Sequence, residues 1–173
     1  NFKGHGSITI NDQKIDLTGL RSDIAISSKM LSDIDRIEVT GKAVITIENL
    51  TSFHTFSDKD MLAIYLGGYH NRVRREIIKK IHQQNSQIAF YHFGDIDAGG
   101  FYILEHLKKQ TGVDFIPFKM DIETLEAHKK YTKKLTENDK KRLTRLVDSQ
   151  YHKVINYMLE NNCKLEQEAV NVE

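Results

Sequence analysis

The stretch from Tyr91 to Gly100 constrains the fold of this chain more than any other. An apolar run ends there in Asp95 and Asp97, and two glycines then lead into a helical pattern. Earlier in the chain, a second strand-like run from Val44 to Ile47 ends in Glu48. Because ligands of open parallel sheets gather beyond the carboxyl ends of the strands, these acids predict a functional site at one edge of a sheet.

The order of apolar and amphipathic runs predicts an α/β fold, in which a Rossmann-like, mostly parallel sheet is flanked by helices. Short apolar runs are typical of buried strands, whereas apolar residues at every third or fourth position indicate helices. The predicted strands are Ala43 to Ile47, Met61 to Leu66, Ile88 to Phe93 and Val113 to Ile116, and the predicted helices are 70–84 and 101–109.

Residues on either side of the sheet segments form two smaller predicted parts. The segment after Asp121 is polar and Lys-rich, and its apolar spacing predicts helices packed against the sheet. Residues 1–40 predict a small β-rich lead-in, which we interpret as the end of a longer upstream region because the chain begins at Asn1 rather than Met. The predicted elements of this lead-in are a β-hairpin at 7–10 and 14–17, a short helix at 27–34 and a strand at 36–39.

Composition narrows the class of protein without revealing a partner. The 25 Lys and Arg residues nearly balance the 24 Asp and Glu residues, so the overall charge of +1 argues neither for nor against a polyanion. A single cysteine, Cys163, excludes an internal disulfide framework and fits a cytoplasmic setting. No apolar run reaches the ~18 residues of a membrane span, so no membrane association is expected. Neither a Walker A loop nor a Gly-x-Gly-x-x-Gly motif is present, which leaves ATP hydrolysis and dinucleotide binding without support.

Glu48, Asp95 and Asp97 are the predicted ligands of a Mg²⁺ or Mn²⁺ ion. Two positions apart on an extended segment, the two aspartates point to the same face. Converging carboxylates repel each other, and a hard divalent cation removes that repulsion. Such ions bridge phosphate oxygens and activate water, which is the chemistry of phosphodiester cleavage. The alternative is that the aspartates only cap the helix that follows, because Asp is a favoured N-cap residue.

Two features near this predicted sheet edge are candidates for contact with DNA phosphates. Arg72, Arg74 and Arg75 lie at the start of a basic amphipathic helix and would give salt-dependent binding. Gly99 and Gly100 open the next helix without bulky side chains, so their backbone N–H groups are available to a phosphate. The alternative for the arginines is an ordinary solvated helix face.

The glutamate after one strand and the Asp-x-Asp after another resemble the Toprim domain, the metal-binding catalytic fold of topoisomerases, bacterial primases and some nucleases. A closer resemblance is to the C-terminal domain of the JetD family, nuclease subunits of Wadjet plasmid-defence systems that are related to the topoisomerase VI A subunit. It extends from about Ile37 to Glu168. The residues that carry it are Ile47 to Phe53, Tyr65 to Tyr69, Gly94 to Phe101 and Leu165 to Glu168.

The JetD resemblance implies that residues 41–173 form a Toprim catalytic domain of a metal-dependent, hydrolytic DNA endonuclease. It implies that Glu48 is a metal ligand or a general acid/base, and that Asp95 and Asp97 are metal ligands. It also implies that Glu166 and Glu168 are ligands of a second metal ion, whereas chemistry alone indicates an exposed acidic tail. Double-stranded plasmid DNA, a condensin-like SMC complex and a second copy of the chain are the implied partners. Family members carry N-terminal winged-helix-type regions, so full activity is expected to need more than this segment.

Two other functions fit the same residues. A topoisomerase VI A-like transesterase half would need a nucleophilic tyrosine, and it would form a covalent adduct with DNA. A non-catalytic module of the same fold would bind DNA or a protein partner without cutting.

Overall fold

A computed structural model describes residues 1–58, 60–68 and 72–170 as a mixed α/β fold. The main sheet has five strands, of which the last four in the chain are mutually parallel and the first pairs antiparallel at one edge. The predicted parallel sheet is therefore confirmed, although its short first strand was not predicted. In spatial order the strands are β1 (Phe2–Gly4), β6 (Met61–Tyr65), β5 (Ala43–Ile47), β7 (Ala89–Phe93) and β8 (Phe115–Pro117).

Three helices connect the parallel strands: α1 (Leu50–Thr55), α2 (Arg72–Gln84) and α3 (Ala98–Thr111). Most residues at the centre of the sheet are apolar, and every residue of β5 is buried, as expected for a parallel strand covered by helices. The two longer helices bury the apolar faces that the sequence predicts. The predicted start of α2 at His70 and Asn71 lies outside the described residues. The buried residues of these two predicted faces include Ile77, Ile78 and Ile81 of α2 and Phe101, Leu104 and Leu107 of α3.

The lead-in contains a second, antiparallel sheet of β3 (Gln13–Asp16), β2 (Gly6–Ile10) and β4 (Ile34–Val39), in that order. The predicted hairpin is confirmed, and its turn has Asn11 and Asp12 at positive φ, as two-residue hairpin turns require. The short helix before β4 is a 3₁₀ helix. β4 and β5 follow each other closely in the chain, but they belong to different sheets.

The small sheet is joined to the main part of the protein by the end of α2. The free edge of β4 donates the Ile37 N–H to Gln84 Oε1 at 2.8 Å and the Val39 N–H to Asn85 Oδ1 at 3.0 Å. These side chains satisfy backbone groups that an unpaired edge would leave exposed. The buried side chains of the small sheet, among them Ile8 and Ile37, are continuous with the core of the larger one.

The predicted C-terminal helices are confirmed as α4 (Ile122–Ala127), α5 (Glu137–Leu143) and α6 (His152–Asn161). α5 packs on α3, and α6 packs on α4 and α5, so these helices form an outer layer over the helix that follows β7. The Tyr151 ring before α6 lies 5.1 Å from the Phe101 ring of α3. Within the described ranges, no helix is long and apolar enough to cross a bilayer.

The two glycines at the start of α3 are expected to respond differently to alanine. A Cβ at Gly100 would overlap the backbone carbonyl oxygen of Asp95, whereas a Cβ at Gly99 would meet only the Asp97 carboxylate, with Oδ1 nearest at 3.0 Å. We expect Gly100→Ala to lower the free energy of unfolding by about 1–3 kcal/mol, as overpacking does. Gly99→Ala should change it by less than about 1 kcal/mol. Urea unfolding of both variants measures the difference, and equal stabilities would contradict the close approach at Gly100.

Candidate metal site

The site is organised by the parallel pairing of β5 with β7. Ala43 pairs with Ala89 and the register continues to Ile47 and Phe93, so both strands end at the same level. The Glu48 N–H continues the ladder by donating to the Phe93 carbonyl oxygen at 3.1 Å. The structure therefore brings the acids that follow the two strands to one sheet edge.

A cavity of about 220 Å³ lies at this edge. Four of the five candidate metal ligands line it, and they come from three separate parts of the sequence. The fifth, Asp97, lies beside the cavity at the start of α3. The lining residues are Glu48, Asn49, Gly68, Asp95, Glu166, Gln167 and Glu168.

The two aspartates of the Asp-x-Asp motif have different partners. Asp97 is the N-cap of α3, and its Oδ1 accepts the Gly100 N–H at 2.8 Å. The helix-capping alternative therefore describes Asp97 correctly. Asp95 caps nothing; its Oδ1 accepts the backbone N–H of Gln167 at 2.7 Å, from a segment near the other end of the chain.

The Asp95 carboxyl group is the one whose ionisation the site most clearly disfavours. Burial raises the pKa of its carboxyl group from 3.8 to about 6, although the hydrogen bond from Gln167 lowers it. The negative charges of Asp97, Glu48 and Glu166 contribute part of this rise in the pKa. Ionisation of Asp95 is therefore disfavoured by its burial and by the carboxylates around it.

The segment from Lys164 to Val170 is part of the site and not an exposed acidic tail. Leu165 is buried and exchanges two backbone hydrogen bonds with Ile96, at 2.8 and 3.1 Å. On either side of the buried Gln167, Glu166 pairs with Lys133 at 3.1 Å, and Glu168 accepts from the Asn49 side chain at 2.6 Å.

Gln167, which no sequence pattern singled out, connects three parts of the site. Besides its backbone bond to Asp95, its Nε2 donates to the Phe93 carbonyl oxygen at 3.0 Å, and its Oε1 accepts the Asn49 N–H at 2.9 Å. Its exposure is only 1%. An amide side chain that both donates and accepts is needed here, because the backbone groups that it satisfies lie at the ends of β7 and β5.

His92 and Thr46 were also not predicted as site residues. Both are fully buried in the sheet, and His92 Nε2 lies 2.8 Å from Glu48 Oε1. One sequence signal could have found them: each is a polar residue inside an apolar strand. In addition, Thr46 is two residues before Glu48 and so lies on the same face.

The donor set fits a hard divalent cation by its chemistry. Carboxylate oxygens are the ligands that Mg²⁺ and Mn²⁺ prefer, and within the described part of the chain the hydrogen bonds of the five acids use one oxygen each. In residues 1–58, 60–68 and 72–170, however, no three acidic, imidazole or thiol side chains are already arranged to hold an ion together. Binding would therefore require small side-chain movements, as expected where like charges repel each other.

The candidate DNA-binding residues lie away from the carboxylate cavity or already have partners. Arg74 lies 5.9 Å from the Tyr65 ring, and Arg72 lines a groove on the outer side of α2. Neither these two nor the half-buried Arg75 is among the described residues that line the cavity. Gly99 and Gly100 begin α3, where the Gly100 N–H is donated to Asp97. Their contact with DNA remains a prediction.

Asparagine at position 95 is expected to stabilise the ion-free protein at neutral pH. Asn keeps an oxygen that can accept from Gln167 but carries no charge. Because the folded pKa of about 6 lies above the ordinary value of 3.8, ionisation of Asp95 lowers the stability of the folded state as the pH rises through this range. We expect Asp95→Asn to raise the free energy of unfolding by about 2 kcal/mol at pH 8, and the gain to vanish below about pH 4. Urea unfolding at several pH values measures this, and a less stable variant at pH 8 would contradict it.

Substitutions at Asp97 should separate its capping role from its charge. Asp97→Ala removes the acceptor of the Gly100 N–H and should cost about 1 kcal/mol of unfolding free energy. Asp97→Asn keeps an N-cap oxygen and should cost much less. Thermal unfolding of the two variants tests this, and equal losses would mean that the cap contributes little.

Comparison with known proteins places the chain in one family. The model of the family described as "Wadjet protein JetD, C-terminal" matches residues 7–173. The Wadjet protein JetD of Bacillus cereus (strain Q1) is 26% identical over 177 residues. The alignment covers 98% of this chain and 43% of that relative, so the chain spans less than half the length of the curated protein that it matches.

Proposed function

The chain belongs to the family of the JetD C-terminal domain, and from this premise we propose that it is the catalytic part of a metal-dependent DNA endonuclease. Its substrate is double-stranded plasmid DNA, and it acts in the cytoplasm with the condensin-like SMC complex of a Wadjet plasmid-defence system. We further propose that two copies act together, as the JetD resemblance implies.

One observation carries this proposal: Glu48, Asp95, Glu166 and Glu168 line one cavity at the end of the two central strands. Burial of Asp95, together with the negative charges of the neighbouring acids, raises its pKa to about 6 and so destabilises the ion-free protein at neutral pH. A divalent-cation site explains why the ion-free protein tolerates this loss of stability, because the bound cation removes the repulsion between the carboxylates.

In this proposal, Glu48 and Asp95 are the central ligands, because they follow the paired ends of β5 and β7. Asp97 supports them through its charge, and Glu166 and Glu168 supply oxygens for a second ion. A bound Mg²⁺ or Mn²⁺ stabilises the charge that develops on the phosphate and activates a water molecule. The basic start of α2, with Arg72, Arg74 and Arg75, holds backbone phosphates and makes binding salt-dependent.

Cleavage of circular plasmid DNA by the full-length protein, together with the rest of its system, is the direct test. We expect cleavage in Mg²⁺ or Mn²⁺ and none in EDTA. Glu48→Gln and Asp95→Asn should abolish it, because each removes a charged ligand while leaving the shape of the side chain. Glu137→Gln is the matched control, since that side chain is 90% exposed and lies on α5. Full cleavage by both site variants would overturn the assignment of the site.

The same reactions distinguish the two other functions. Denaturing the reaction and separating protein from DNA would reveal a covalent adduct if the protein is a topoisomerase VI A-like transesterase. Salt-dependent DNA binding without cleavage, unaffected by Asp95→Asn, would instead indicate a non-catalytic module. The hydrolytic endonuclease gives cut DNA with no protein attached.

A further inference from the structure

Two buried polar side chains of the central strands lead directly to Glu48. Thr46 of β5 and His92 of β7 are paired across the parallel register, and both are 0% exposed. His92 Nδ1 lies 2.9 Å from Thr46 Oγ1, and Nε2 lies 2.8 Å from Glu48 Oε1. The three residues therefore form a continuous hydrogen-bonded chain from the interior of the sheet to the edge of the cavity.

For a neutral imidazole, the available protons assign a direction to this chain. Thr46 has one hydroxyl hydrogen, and it lies within reach of His92 Nδ1 at 2.9 Å and of the Tyr91 carbonyl oxygen at 3.2 Å. If that hydrogen went to Tyr91, a neutral imidazole protonated on Nδ1 would point an Nε2 lone pair at the oxygen of Glu48. If it goes to Nδ1, the Nε2–H group donates to Glu48, and every polar atom of the chain has a partner.

The Glu48 carboxylate also lies against Gly94. A Cβ at Gly94 would overlap Glu48 Oε1 and would lie 3.1 Å from His92 Nε2, so the carboxylate fits against the glycine backbone. Only 8% of the Glu48 side chain is exposed. Oε2, in contrast, has no hydrogen bond to the described residues, and Glu48 lines the carboxylate cavity.

We propose that His92, oriented by Thr46, is a positioning residue that fixes Glu48 Oε1 and so reserves Oε2 for a divalent cation or its water. This inference rests on the proposed function, since it assigns a purpose to the same site. Groups that hydrogen-bond to metal ligands restrict the orientation of those ligands, and their loss typically weakens metal binding or activity by about 10–100-fold. His92 itself touches neither substrate nor metal.

Mn²⁺ binding by the full-length protein tests the proposal with four variants. His92→Leu removes both contacts and should weaken binding by about 10–100-fold. His92→Gln places an amide N–H near the position of Nε2 and should recover most of the affinity. Thr46→Val should weaken binding because the imidazole loses its orienting donor, whereas Thr46→Ser, which keeps the hydroxyl, should resemble the wild type. Isothermal titration gives the affinities, and melting temperatures show that each variant is folded.

Wild-type affinity in His92→Leu, or a His92→Gln variant as weak as His92→Leu, would overturn the positioning role. A second readout, the ¹⁵N NMR spectrum of the His92 imidazole, does not depend on the metal. Its signals are identified because they disappear in the His92→Gln variant. A neutral ring protonated on Nε2, altered by Thr46→Val, supports the chain of hydrogen bonds, and a ring protonated on Nδ1 overturns it. If the wild type neither binds Mn²⁺ nor cleaves DNA, the proposed function fails, and the ¹⁵N spectrum still decides the orientation of Glu48.

Discussion

The site depends on one interaction, the in-register parallel pairing of β5 with β7. Val44, Ile45 and Ile47 are fully buried, so a slip of one residue would exchange the side chains that pack on the two faces of the sheet. The same register that buries them places Glu48 beside Gly94 and pairs Thr46 with His92. The hydrophobic core thus determines where the acids lie before any ligand is bound.

A second constraint comes from the far end of the chain. Lys164 pairs with the well-buried Asp139 at 2.9 Å, and its backbone exchanges hydrogen bonds with Lys133. Gln167, three residues later, inserts its side chain between the ends of the two central strands. The contacts of Lys164 and Gln167 therefore hold the acids of this segment in place. These contacts offset the electrostatic repulsion that arises when the acids lie near Asp95. Local conflict of this kind is expected at functional sites.

The periodicity of the sequence predicts the parallel sheet, its helices and the hairpin. A strand that is buried on both faces shows as a short apolar run, and a helix that is buried on one face shows as apolar residues at every third or fourth position. Glu48 and Asp95 could be placed together because parallel strands end at the same edge. The strand at Phe2–Gly4 has too few residues to show a pattern. Gln167 could not be recognised, because its contact with Phe93 spans 74 residues of sequence. His92 stands out only as a polar residue in an apolar strand, and its contact with Glu48, 44 residues away, has no local signal. Chemistry alone indicates an exposed tail at the end of the chain, since the pairing of Leu165 with Ile96 has no local signal.

The most direct test of the central claim is anomalous diffraction from crystals of the protein grown with Mn²⁺. The account predicts an anomalous peak in the carboxylate cavity, within coordination distance of Asp95 and Glu48, with Glu166 or Glu168 turned toward it. Crystals of Asp95→Asn, prepared in the same way, should lack that peak. A well-ordered cavity that holds no Mn²⁺ at saturating concentration, or a peak bound elsewhere on the protein, would contradict it.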